Sequence, residues 1–323
     1  NDRVADWCAD AGHDHFHCGA HSAPQAIAMI IAPSMPPMGL GAKASIRSHY
    51  DLATPFYRLF WGPHIHHGLW SAEDAAREHP DASPLSAQEA LTDALATLAD
   101  IRTGQHVLDV GCGMGGSSIR LARQRHCEVI GITLSGVQRR WASMGAWRNG
   151  VTDLVRFRQE DAERVTFEAA SFDVVWSIEC TEHLFDKATF FRRAAGWLRP
   201  GGRIAICAWL AANDADRPGL REQVEAVCDS FLCPSLGSFS DYTGWMTAAG
   251  LRVEHTEDWT ARVSRTWELC DARVRRFGLP WLARFIDGRQ ATFLDNFKTL
   301  LDAYRSGAMQ YGCIVARRPD SAT

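Results

Sequence analysis

The chain has 323 residues, 46% of them hydrophobic, which is enough for a sizeable core. Its formal net charge of -4 and pI near 6.4, without a long block of like charge, argue against a polyanion-binding surface and against nucleic acid as a partner. No apolar run reaches membrane-spanning length, and ten scattered cysteines without a CxxC pair read as reduced thiols of a cytoplasmic chain.

Residues 1–44 read as a disordered tail. "CADAGHDHFHCGAHS" is rich in His and small residues, and "APSMPPMGLGA" in Pro, Met and Gly. Cys8, His13, His15, His17, Cys18 and His21 invite a metal reading, but their spacing fits no finger pattern and the segment lacks core periodicity, so a flexible tail outweighs it. Met35 or Met38 would serve as a natural start, and "AIAMIIA" lacks the basic lead-in of a secretion signal.

Residues 45–105 read as an N-terminal helical segment closing a site. "SIRSHYDLATPFYRLFWG" predicts helix in two pieces, broken before Pro55. "WGPHIHHGLW" places His64, His66 and His67 between Trp61 and Trp70. The three are too close in sequence for most of a zinc tetrahedron, so no metal is expected; packing explains at least one of them. "SAQE" predicts a helix capped by Ser86 with Glu89 three residues on, followed by a Leu91, Leu95 and Leu98 face.

Residues 106–323 read as an α/β core. Strands are predicted at "HVLDV", "CEVIGI", "LVRFRQE", "FDVVWSI" and, entered through a turn at Pro200 to Gly202, "RIAICAWL"; helices at "SSIRLARQR", "SGVQRRWASMGAWRN" and "KATFFRRAAGWL" intervene. This alternation implies a mostly parallel sheet with helices on both faces. "GLRVEHTEDW" and "MQYGCIVARR" are two more strands. Between them lies a helical cap at about 262–305, where Phe293, Phe297, Leu300, Leu301 and Tyr304 form a stripe read as core rather than substrate box.

"VLDVGCGMGGSS" runs a strand into Gly111, Gly113 and Gly116 and then a helix, the place where an open parallel sheet binds ligands. The spacing matches GxGxxG, which alone is a weak dinucleotide signal. Asp109 suits a ligand with an ammonium group rather than a pyrophosphate, and "GITLS" ends the second strand without the acid that NAD ribose wants. Asp161 in "QEDAE" is placed to accept from an adenine amino group, though a turn role is its default. S-adenosylmethionine therefore outranks NAD. An NAD oxidoreductase and a catalytically inactive methyltransferase-like binding protein remain the alternatives.

"LDVGCGMGGSSIRLA", "GITLSGVQ", "DVVWSIECTEHLFDK", "SDYTGWM" and "EDW" resemble the gamma-tocopherol methyltransferase family and its relatives, among them plant alkaloid N-methyltransferases. More distantly the chain is similar to cyclopropane fatty acid synthases and sarcosine/dimethylglycine methyltransferases. The resemblance covers roughly residues 45 to 318. It implies S-adenosylmethionine in a Rossmann-like seven-stranded sheet with an antiparallel last strand. Asp109, Gly111, Cys112 and Gly113 would then cradle the methionine portion; Thr133, Leu134 and Gln138 would face the ribose; Glu160, Asp161 and Ala162 would hold adenine. Ser177 would line the floor, and Tyr50 and Trp70 would close over the cofactor.

The same resemblance puts the histidine stretch at the cleft mouth, with His66 or His67 near substrate. Glu179, Glu182 and His183 would form the opposite wall, a neutral imidazole serving as base. The expectation is methyl transfer to oxygen or carbon, nitrogen ranking next, of a small molecule. His67 and His183 are placed nearest the acceptor. Trp61, Trp70, Phe56 and Phe60 point to an apolar or aromatic one, prenylated compounds included. The reading is compatible with a homodimer.

Overall fold

The computed structural model describes residues 62–77, 81–276 and 291–320, with positions 43, 44, 46–48, 50–52, 54 and 58 before them. The Cys/His-rich stretch, both candidate starts, Phe56, Phe60, Trp61, Pro55 and the Phe293 side chain lie outside the described residues, as do 277–290 of the expected cap.

Each predicted apolar run is a strand: β1 (His106–Val110), β2 (Glu128–Thr133), β3 (Val155–Gln159), β4 (Phe172–Ile178), β5 (Leu198–Ala211), β6 (Arg252–Asp258) and β7 (Met309–Arg317). They form one seven-stranded sheet in the order β3-β2-β1-β4-β5-β7-β6. β1 to β5 pair in parallel, and β7 runs antiparallel to both β5 and β6. The central strands read as continuous apolar runs because both faces are covered. Alternate residues feed two cores. Val107, Val174, Ala205 and Cys313 point to one, and Leu108, Val175, Ile204 and Ile314 to the other.

The helices are α1 (Ala72–Ala76), α2 (Pro84–Leu98), α3 (Gly116–Arg125), α4 (Gly136–Arg148), α5 (Lys187–Trp197), α6 (Leu220–Phe231), α7 (Phe239–Ala248), α8 (Thr260–Val263), α9 (Arg265–Arg276) and α10 (Ala291–Ser306). Three differences from expectation have local causes. α2 starts three residues early: Pro84 occupies its first turn, where no N–H is needed, and Ser83 rather than Ser86 accepts the capping N–H. The Pro-Gly-Gly turn is absorbed into β5, where the pairing with β4 jumps from Phe172–Leu198 to Val174–Arg203. α6 and α7, between β5 and β6, were not foreseen, although Val224, Val227 and Phe231 mark a helical stripe. On α10, Phe297, Leu300, Leu301 and Tyr304 are buried in the core beneath the β5–β7 pair, which is the core reading of that stripe.

Chain order reverses between β1 and β4, so their C-terminal ends open a crevice. Ile46 and Tyr50 of the N-terminal segment and the stretch from Pro63 to His66 line it.

Candidate active site

β1 delivers the glycine loop to this crevice. The N–H groups of Gly111 and Cys112 both donate to the Ile132 carbonyl at 2.9 Å, folding the loop over the end of β2. Gly111 has φ +81, and a side chain there would overlap Cys180, so only glycine fits. Asp109 is 2% exposed and accepts from Ser118 Oγ at 2.5 Å. Burial pushes its carboxyl up to about 7, with the Ser118 bond opposing. A buried acid of this kind gains most from a cationic partner. Gly113, with φ +53, has nothing nearer than Ile65 around its missing side chain, which leaves room for a ligand against the backbone.

The crevice is lined by Tyr50, His66, Asp109, Gly111, Cys112, Gly113, Thr133, Leu134, Gln138, Glu179 and His183 among the residues expected there. At the end of β2, Thr133 Oγ1 donates to Gln138 Oε1 at 2.8 Å, which leaves the Gln138 amide N–H groups for a hydroxyl-bearing ligand. Ile46, Met114 and Trp176 also line it; apolar side chains carry no such signal in sequence.

Other expected residues sit elsewhere. Trp70 is fully buried away from the cleft: its indole N–H donates to Thr266 Oγ1 at 3.0 Å and its backbone N–H to the Arg262 carbonyl. A tryptophan with its one polar group so paired belongs to the junction with α8 and α9, not to a lid. Ser177 is also off the cleft, donating to the Val110 carbonyl at 3.0 Å between β4 and β1. Asp161 is held by Lys43 at 2.7 Å, which also meets Glu163 at 2.6 Å. It accepts from the Glu163 N–H as well, the turn role named as its default. Glu160 is exposed and Ala162 buried beside it.

The histidines are sorted by their partners. His66 Nδ1 faces the His67 carbonyl at 2.7 Å, so it carries the proton, and Nε2 receives His64 Nδ1–H at 3.1 Å. Both rings are held below the ordinary histidine value, burial being the main cause. His67 is 1% exposed and lies behind the cleft wall rather than on it. Its Nε2 accepts from the Trp267 indole N–H, a group that can only donate. Nδ1–H therefore donates to Glu179 Oε1 at 2.9 Å. The His67 backbone N–H and the Tyr311 hydroxyl donate to the same oxygen at 2.8 and 2.7 Å. Burial alone would raise the Glu179 carboxyl, but His67 outweighs it and holds the group below its usual value. Trp267 and Tyr311 could not be assigned to His67 from sequence, because they lie some two hundred residues away.

His183 differs. Its Nδ1 faces the Leu232 carbonyl at 3.3 Å, so the proton sits there and Nε2 turns its lone pair toward the Tyr50 hydroxyl at 3.1 Å on the cleft wall. Glu182 is buried: Oε1 accepts from the Trp209 N–H at 2.5 Å and Oε2 has no partner. Burial pushes this acid up to about 8. Among the described residues no three His, Cys, Asp or Glu side chains converge as metal ligands, and no helix is long and apolar enough to cross a membrane.

Comparison with known proteins gives the family and the fold. A family model described as mycolic acid cyclopropane synthetase matches residues 41–278. The chain is 32% identical over 276 residues to 27-O-demethylrifamycin SV methyltransferase of Amycolatopsis mediterranei (strain S699), covering 84% of this chain and 96% of that protein. It is 29% identical over 291 residues to the chloroplastic tocopherol O-methyltransferase of Arabidopsis thaliana, covering 86% and 82%. In fold it is similar to a cyclopropane synthase from Mycobacterium tuberculosis, with TM-score 0.74, 19% identity and 85% and 98% coverage. It is also similar to geranyl diphosphate C-methyltransferase from Streptomyces coelicolor A3(2), with TM-score 0.66, 22% identity and 88% and 100% coverage.

Proposed function

The chain belongs to the mycolic acid cyclopropane synthetase family of S-adenosylmethionine-dependent methyltransferases, and on that premise we propose that it methylates oxygen or carbon of an apolar or aromatic small molecule, with His183 as the general base. With family membership the oxidoreductase alternative falls away. S-adenosylmethionine supplies the methyl group on an already activated sulfonium, so the protein's task is alignment, charge placement and proton removal. In this proposal Asp109 takes the ammonium end, Thr133, Leu134 and Gln138 face the ribose, and Glu160, Asp161 and Ala162 lie at adenine.

The observation that carries the base assignment is the His183 tautomer. His183 turns its acceptor nitrogen to the Tyr50 hydroxyl, on a residue that lines the cleft, whereas those of His66 and His67 are spent on His64 and Trp267. His183 Nε2 would take the proton released by the acceptor, the electron pair of the broken methyl–sulfur bond leaving with S-adenosylhomocysteine. Glu179, ionised and aimed by His67 and Tyr311, supplies negative charge beside the sulfonium and any positive charge that develops on the acceptor.

Replacing His183 with Ala is expected to lower turnover by about 10²–10⁴-fold, while S-adenosylhomocysteine affinity, measured by calorimetry, stays near wild type. Wild-type turnover should fall on acidification, because the imidazole must be neutral. Full turnover in His183→Ala ends the base assignment. The acceptor class is tested by assaying tocopherol-like phenols, indoles, prenyl diphosphates and simple amines in parallel; a strict preference for small zwitterionic amines overturns the apolar reading. A cytoplasmic setting belongs to the same proposal, supported by free thiols such as those of Cys207 and Cys313. So does self-association, supported by the Trp147 indole, 72% exposed; analytical ultracentrifugation checks it.

A further inference from the structure

On the outer side of the glycine-loop helix, a groove of about 380 Å3 runs between α3 and α4. The two helices meet closely at its floor, where a side chain on Gly145 would come within 2.9 Å of the Ile119 methyl. Trp141 and Met144 form an apolar wall. Arg58, Arg120, Arg123 and Arg148 stand around the groove against one lining carboxylate, Glu89. Arg120 is committed, meeting Glu89 at 2.8 Å and Asp93 at 2.6 Å. Among the described residues Arg123 reaches only the neutral Asn149 side-chain oxygen, at 3.0 Å. Arg58 and Arg148 have no carboxylate partner among the described residues.

Guanidiniums gathered at one concave surface repel each other, and an anion relieves that repulsion. Their planar forks suit the paired oxygens of carboxylate or phosphate. The transfer chemistry uses none of this charge. The groove touches the cofactor crevice only where Pro63, His64, Met114 and Gly116 line both, and the buried His64 ring stands between them. Glu179 and His183 lie on the far side of the crevice and do not line the groove.

We propose that the α3–α4 groove is a second ligand site, independent of the transfer site, that takes a small amphipathic anion. A carboxylate or phosphate head would lie on Arg123 and Arg148, with an apolar or aromatic body over Trp141 and Met144.

The probe is 8-anilinonaphthalene-1-sulfonate, an aromatic body with one anionic head, titrated by fluorescence into the full chain saturated with S-adenosylhomocysteine. One saturable site is expected. R123E/R148E, at two exposed positions, should weaken it by about tenfold or more, the worth of at least one lost charge-assisted bond, without lowering the melting temperature. W141A should weaken it as well. Decyl phosphate and decanoate should displace the dye, the stronger identifying the head group, and inorganic phosphate should displace it poorly. Undiminished dye affinity in R123E/R148E overturns the proposal, as does failure of the dye to bind once S-adenosylhomocysteine fills the crevice. Sedimentation with phosphatidylglycerol vesicles that R123E/R148E abolishes, without displacement of the dye by either soluble anion, also overturns it and makes the surface a lipid contact.

Discussion

The chemistry of this site is decided residue by residue, through hydrogen-bond partners that assign each proton. Asp109 shows the cost. Its carboxyl is pushed up to about 7 by burial, above the ordinary value it has in the unfolded chain. The folded state thus holds a proton that the unfolded chain gives up. The group costs stability increasingly as pH rises from about 4 to about 7, and the full cost stands above that. Asp109→Asn is therefore expected to melt higher than wild type at pH 8 without cofactor, and to differ little at pH 4. The same change removes the partner of an ammonium and should weaken S-adenosylhomocysteine binding by about 1–3 kcal/mol in calorimetry. Lower melting at pH 8 together with unchanged affinity would reject Asp109 as the ammonium acceptor. Glu182, pushed up to about 8, follows the same sign: Glu182→Gln should raise stability most at pH 9, in thermal melts across the range.

At the scale of elements, polar side chains among the described residues of the N-terminal segment tie it to the crevice. Asp51 accepts from Ser135 Oγ at 2.5 Å and from the Val137 N–H at 3.3 Å. It thus sits at the positive end of α4, where Ser135 is already the cap. Tyr50 to His183 and Lys43 to Asp161 and Glu163 are the other tethers. Replacing Asp51 with Ala removes about 1 kcal/mol of capping interaction. The expected outcome is faster limited proteolysis before residue 62 and reduced turnover, with the melting of the sheet core nearly unchanged. Wild-type protection in Asp51→Ala would show that the tether holds nothing. The sequence could show a helical segment here, but not its docking, since Asp51 and Ser135 are eighty-four positions apart.

For the molecule as a whole, the crevice is built where two cores and the switch in strand order meet, so cofactor binding should be felt by the entire fold. S-adenosylhomocysteine at a hundred times its Kd adds about 2.7 kcal/mol to folding stability, which for a chain of this size is a rise of about 4 °C in Tm. NAD at the same concentration should leave Tm unchanged. A rise with NAD and none with S-adenosylhomocysteine contradicts the cofactor assignment.

By itself, the sequence was sufficient for the strands, their mostly parallel arrangement and the cofactor class, because apolar runs, a strand-to-helix glycine loop and a missing second-strand acid are all local signals. Motifs such as "TEHLFDK" also carried the family. Only the tertiary structure decided which histidine turns its acceptor nitrogen to the Tyr50 hydroxyl on the cleft wall, that Trp70 packs with Thr266, and that His67 supports Glu179 from behind. The reason is one of range. Hydrophobic period and turn chemistry act over a few residues, whereas a proton's position depends on whichever groups packing brings within 3 Å. For His67 those groups are Glu179 and Trp267, with the Tyr304 hydroxyl at 3.4 Å and the Tyr311 ring packed beside them; they come from the end of β4 and from α9, α10 and β7, which are brought together only when the sheet closes.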